Sequence, residues 1–212
     1  MTLTTPATDT PATGTAARTG SVRDRRPCGD NGSTVRQHWG TPVAVIELNP
    51  AALLSAAAAE IGADGPALES LPPSDIITDL DAAAAQFRAS FDALADTYGP
   101  DLAPAISSVD IQVQVWRHGH DVPATGHPAD LVAWWVLAAS PAPTHTESGA
   151  IAFADPRAGS QMTAMPGLPW GRQLMIRPVA GAHVAVPGWL TSSVVPLEHG
   201  QYVLVAVAAS VR

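Results

Sequence analysis

Ile111-Gln-Val-Gln-Val-Trp116 decides the fold. Ile111, Val113 and Val115 alternate with Gln112, Gln114 and Trp116, the period-two pattern of a half-buried strand. Downstream, further short apolar runs occupy residues 131–138, 150–153, 174–176, 183–186, 193–195 and 202–208, separated by Gly, Pro and Asp clusters. Upstream the period is helical. Leu80, Ala83, Ala84, Phe87, Phe91 and Leu94 recur at three and four residues, which predicts a helix over 78–98 ended by Gly99-Pro100. Before it, Gly65 and Pro72-Pro73 mark residues 63–75 as a loop. Asn49-Pro50 offers an N-cap and a proline at the first helical position, predicting a helix to about residue 61, and residues 39–48 read as a strand. Two helices followed by about seven strands argue a mainly β fold, a sandwich or barrel with the helices packed outside.

Residues 1–36 are rich in Thr, Ala, Pro and Gly and nearly devoid of large apolar side chains, so they are expected to be a disordered tail before a domain over 37–212. The 212-residue chain is 46% hydrophobic and only 14% charged, enough for a core beneath a weakly charged surface. All 11 of its positive charges are arginine. Without lysine there is no Schiff base, no pyridoxal-phosphate anchor and no phosphate-loop amine. A single cysteine, Cys28, removes intrachain disulfides and thiolate zinc sites. Residues 1–36 hold five Arg against three Asp, a balance of +2, so the net charge of −8 leaves about −10 on the remainder. An acidic body repels phosphate backbones, and nucleic acid is not expected as a partner. No apolar run approaches the roughly 18–20 residues a bilayer span needs. The N-terminal residues have no apolar stretch of the secretory kind, and polar residues follow Arg25-Arg26, so a soluble cytoplasmic protein without membrane contact is expected.

Four of the seven histidines, His118, His120, His127 and His145, fall in or beside one loop region. In a strand, the spacing of His118 and His120 would place both on one face, a workable pair of metal ligands to which Asp121 or Asp130 could add a carboxylate. Solvated loop residues are the plainer reading. His183, in an apolar run, reads as a core histidine. Trp134-Trp135 must send at least one ring inward, for core packing or as a wall against a ligand. No GxSxG elbow, HExxH helix or glycine phosphate loop is present.

Several segments, in order, resemble a family of small bacterial 2-oxoglutarate/Fe(II)-dependent oxygenases. They are Trp39-Gly-Thr-Pro-Val43, the span from Arg117 to Pro128, Leu131-Val-Ala-Trp-Trp-Val136, Ser148-Gly-Ala-Ile-Ala-Phe-Ala-Asp-Pro-Arg157, and Pro178 to Leu190. The resemblance covers residues 38–208. It implies a double-stranded β-helix, or jelly roll, with two N-terminal helices outside and the site in the barrel mouth. It also implies iron held by two histidines and a third ligand, with an arginine near the last strand gripping 2-oxoglutarate. At the positions that match, this chain has Thr125 for the first ligand, keeps His127, and has Ser192 for the distal histidine and Tyr202 for the arginine.

The resemblance and these departures together give the expected function. The old barrel pocket acts on a small, largely apolar metabolite by non-oxidative chemistry (cyclisation, isomerisation or dehydration) with no cofactor. His127, Tyr202 and Ser192 are the expected catalytic residues, and Thr125, Trp134, Trp135 and Arg157 the substrate-binding ones. For the Asp155-Pro-Arg157 turn, a structural ion pair is the reading preferred over a direct substrate contact. One alternative is an active Fe(II)/2-oxoglutarate oxygenase with relocated ligands drawn from His118, His120, His127 and Asp130, with Asp121 and His183 also available. Another is a non-catalytic binding or scaffold protein. The expected partner is a small-molecule substrate, and a homodimer is compatible with the sequence.

Overall fold

The computed structural model describes residues 34–99, 101–141, 144–157 and 173–212. In chain order the strands are β1 (Val35–His38), β2 (Thr41–Glu47), β3 (Leu68–Leu71), β4 (Ser108–Arg117), β5 (Val122–Thr125), β6 (Leu131–Ala139), β7 (Ile151–Phe153), β8 (Leu174–Ile176), β9 (Ala182–Pro187), β10 (Ser192–Val194) and β11 (Tyr202–Val211). The helices are α1 (Pro73–Ile76) and α2 (Leu80–Ala95).

The strands form two sheets. One has the order β1-β2-β9-β6-β11-β4-β3 and the other β5-β10-β7-β8, with antiparallel pairing throughout. Counting eight barrel strands from β4 to β11, the larger sheet contains the first, eighth, third and sixth side by side, and the smaller sheet the second, seventh, fourth and fifth. That interleaving, in which successive strands cross between facing sheets, is the two-Greek-key jelly roll. The protein is a double-stranded β-helix. Strands β1 to β3 extend its larger sheet at both edges.

The larger sheet separates two cores, because alternate residues of a strand point to opposite faces. On its outer face, Phe87, Phe91 and Leu94 of α2 share a cluster with Val113, Val115, Trp135 and Leu204. On its inner face, Trp116, Val136, Val203 and Val205 meet Ile151, Phe153 and Val194 of the smaller sheet. Asp79 starts α2 by accepting the Ala82 N–H at 2.8 Å, and the chain leaves the following 3-10 turn at Gly99, whose φ is +77°. No helix among the described residues is long and apolar enough to cross a membrane.

Three expectations need correction. The helix expected from Asn49-Pro50 is a capped turn instead: Asn49 Oδ1 accepts the Ala51 N–H at 3.0 Å, but helical structure resumes only as a 3-10 turn over Ala56–Glu60. Tertiary pairing overrides the local signal here, since Ser55 N–H donates to Ile76 and Thr78 N–H donates to Leu53. The loop expected over 63–75 contains β3, paired with β4, and the start of α1. Val35 and Arg36, the last residues of the expected tail, lie in β1, while residues 1–33 lie outside the described residues.

Candidate functional site in the barrel cavity

Between the two sheets lies a cavity of about 270 Å³. Its lining includes the buried residues Trp116, His120, Ile151 and Val194 and the exposed residues Gln112, Thr125 and Gly126. The face of β4 that reads as polar and solvent-facing therefore looks into the barrel. Ile111, Val113 and Val115 pack towards α2, while Gln112, Gln114 and Trp116 line the cavity. Gln114 Oε1 accepts the Trp116 indole N–H at 2.9 Å, fixing both side chains.

The fold brings Thr125, His127 and Ser192 to this cavity. Ser192 stands opposite Thr125 across β10 and β5, and opposite Phe153 across β10 and β7. His127 follows β5 on a short loop; its Nδ1 accepts the Ala129 N–H at 3.1 Å, and burial lowers its pKa below the usual 6.5. Trp134 also lines the cavity, edge-on to Phe153 with ring centroids 5.6 Å apart.

Other expected site residues lie elsewhere. Tyr202 and Trp135 belong to the outer core, because the strand alternation that turns Val203 and Trp134 inward turns their neighbours outward. Trp135 is fully buried there, edge-on to Phe87. Arg157 pairs with Asp155, its Nε donating to Oδ1 at 2.9 Å and its backbone N–H to the same oxygen at 3.0 Å, which is the ion-paired turn. Asp130 faces an outer groove of about 440 Å³, where Arg212 donates to it; the guanidinium hydrogen bond holds its carboxyl below the usual range.

Of the histidines, His120 and His127 line the cavity and the others lie away from it. β4 ends at Arg117, so His118 and His120 sit in a turn around Gly119 (φ +89°) rather than on one strand face. His118 stacks on His199 with centroids 4.0 Å apart and its Nδ1 donates to the Leu197 carbonyl at 2.9 Å, whereas His120 stacks on Trp116 inside the barrel. His145 is exposed beside Glu198. His183 is fully buried against α2, with Nε2 2.9 Å from Ser90 Oγ, and burial lowers its pKa to about 4. Among the described residues no three His, Cys, Asp or Glu side chains are grouped to hold a metal ion.

No protein-family model and no curated protein matches the sequence. Among solved structures, the chain is similar to a prolyl-4-hydroxylase of Pseudomonas putida (14% identity, 68% of each chain, TM-score 0.46). It is also similar to HygX of Streptomyces hygroscopicus with nickel, 2-oxoglutarate and hygromycin B bound (13%, 80% of this chain and 83% of that one, TM-score 0.42). A third likeness is to SnoN, the non-heme alpha-ketoglutarate-dependent epimerase of nogalamycin biosynthesis (13%, 79% and 78%, TM-score 0.41). The fold is that of a double-stranded β-helix. The strand order carries that statement independently of these likenesses.

The barrel also presents residues that motif reading misses. Gln112, Gln114, Trp116 and Ser193 line the cavity. The signal available for the three residues on β4 was the alternation of that strand, once its second face is known to be covered by a sheet rather than by water. None of the described lining residues is Arg, Asp or Glu.

Proposed function

We propose that this chain binds a small, largely apolar metabolite in the barrel cavity and converts it without a metal, by a cyclisation, isomerisation or dehydration. The observation that carries the reading is the state of His127. With Nδ1 accepting the Ala129 N–H, the neutral ring keeps its proton on Nε2. Its lowered pKa keeps that neutral form at pH 7. His127 thus acts as a hydrogen-bond donor that polarises an oxygen of the bound molecule while keeping its own proton, with the Thr125 and Ser192 hydroxyls beside it.

The donor set supports the metal-free part. Fe(II) in such a barrel is suited by imidazole and carboxylate ligands, whereas the described residues at the matching positions are a hydroxyl, one imidazole and a second hydroxyl. The inward positions of β11 are Val203, Val205 and Val207, leaving no guanidinium there for a dicarboxylate. Arg117 is engaged by Glu69 at 2.8 Å and Arg212 by Asp130. Fe(II) and 2-oxoglutarate therefore do not fit the described lining. Metal analysis of the purified chain alongside a calorimetric 2-oxoglutarate titration tests the reading. Substoichiometric iron and no 2-oxoglutarate heat are expected; stoichiometric iron with succinate formation overturns it.

A further inference from the structure

Two planar polar side chains are oriented by hydrogen bonds at the cavity wall, Gln114 and His127, and both have a donor left over. The Trp116 indole N–H donates to Gln114 at 2.9 Å. An indole nitrogen only donates, so the amide atom facing it is the oxygen and the NH2 end is turned away. Trp116 is itself held, being 2% exposed and stacked on His120 with ring centroids 5.4 Å apart. Gln114 is half-buried on the inward face of β4, between exposed Gln112 and buried Trp116. Among the described residues its Nε2 has no hydrogen-bond partner, and unlike the His120 Nε2 it is not sealed from solvent. His127 repeats the pattern, since the Ala129 N–H occupies Nδ1 and leaves the Nε2 proton. Both donors are set in place before any guest arrives, so binding costs them little ordering.

We propose that the cavity takes a ring compound bearing a carbonyl group, a ketone or a lactone, and that the Gln114 amide donates to its carbonyl oxygen. Such an oxygen has two lone pairs and no proton to place, which matches oriented groups that only donate. A carboxylate also accepts, but none of the described lining residues is an arginine that could replace its hydration. Val122, Ile151, Val194 and the Trp134 ring supply apolar surface. At about 270 Å³ the space lies just below the range of ordinary ligand pockets, about 300–1,000 Å³, which suits one or two rings. This rests on the reading of the cavity as a small-molecule site and names the group that the site recognises.

The test is calorimetric titration of the full chain with 1-tetralone, tetralin and 1-naphthoate, on the parent and on two variants. Gln114→Glu keeps an acceptor for the Trp116 indole and replaces the NH2 group with an oxygen. Gln114→Met keeps the length and removes both polar ends. The tetralone-to-tetralin affinity ratio is expected to fall about tenfold in each, the effect of losing one hydrogen bond to a desolvated group. In the parent, the side-chain NH2 signals of Gln114 in a ¹⁵N spectrum shift with tetralone and stay in place with tetralin, a readout that needs no variant to fold. A ratio unchanged in both variants, an NH2 signal that tetralone does not move, or tighter binding of naphthoate than of tetralone overturns the inference and leaves the cavity reading standing. Binding of neither tetralone nor tetralin overturns both. A tetralone preference lost with Gln114→Glu, in a chain that binds iron and turns over 2-oxoglutarate, retains the inference and overturns the metal-free reading.

Discussion

Gly188 clamps the loop that carries His127. The His127 N–H donates to the Gly188 carbonyl at 2.7 Å, and the Gly188 N–H donates to the Asp130 carbonyl at 2.8 Å. A residue after β9 thus fixes the segment after β5, and through it the only imidazole among the three positions matched to the oxygenase motif.

This approach leaves no room for a side chain. A Cβ at position 188 would overlap the Ala129 carbonyl oxygen and lie 2.8 Å from that of His127. Gly188→Ala is expected to cost about 2 kcal/mol or more in a denaturant melt, as overpacking against backbone does. It should also shift the His127 ring resonances. Gly62→Ala, where a Cβ meets nothing within 4 Å, is the control and should stay within about 0.5 kcal/mol of the parent.

His183 gives a pH dependence whose sign follows from burial. Its pKa is about 4 in the folded chain against 6.5 in the unfolded one, so the fold holds the ring neutral. Stability is unaffected above pH 6.5. As pH falls through the window from 6.5 to about 4, the unfolded state takes up a proton that the folded state refuses, and about 3 kcal/mol is lost. Urea melts at pH 7.5 and 4.5 on the parent and on His183→Gln isolate this effect, because the carboxylates are common to both. An equal acid loss in the two proteins contradicts the assignment.

The adjacent tryptophans should separate cleanly. Trp135→Ala empties the core beneath α2 and is expected to cost about 3–5 kcal/mol. Trp134→Ala, at a half-buried ring on the cavity wall, should cost less and should change ligand affinity instead. Thermal melts of both variants, combined with titration of a small apolar probe such as naphthalene, check this.

Tyr202→Phe tests the reassignment of that residue. Its ring packs with the outer core, so ligand binding in the barrel should match the parent, while His127→Gln should alter it. A loss of binding in Tyr202→Phe would mean that the side chain reaches the cavity.

The sequence carried the barrel further than it carried the site. Short apolar runs marked six of the seven strands beyond β4 and the helical period marked α2, because core burial writes those patterns into residue order. β1, β3 and β5 are short, polar and largely exposed, so they leave no such pattern and arise from pairing to a partner strand. Thr125, His127 and Ser192 could be placed together through the family resemblance. Tyr202 could not, since a one-residue slip in a strand reverses its face. Gln112 and Gln114 were misjudged for a related reason: polar residues on a strand signal water, and an internal chamber supplies a similar surroundings at its mouth.

The parity of β6 and β11 has a practical result. Val132, Trp134 and Val136 of β6 and Val203, Val205 and Val207 of β11 face the inner core, where Trp134 and Val207 line the cavity, and the intervening residues seat the helix. Evolution, or a mutant library at 134 and 207, can therefore remodel what the barrel accepts while 133, 135, 206 and 208 keep the scaffold standing.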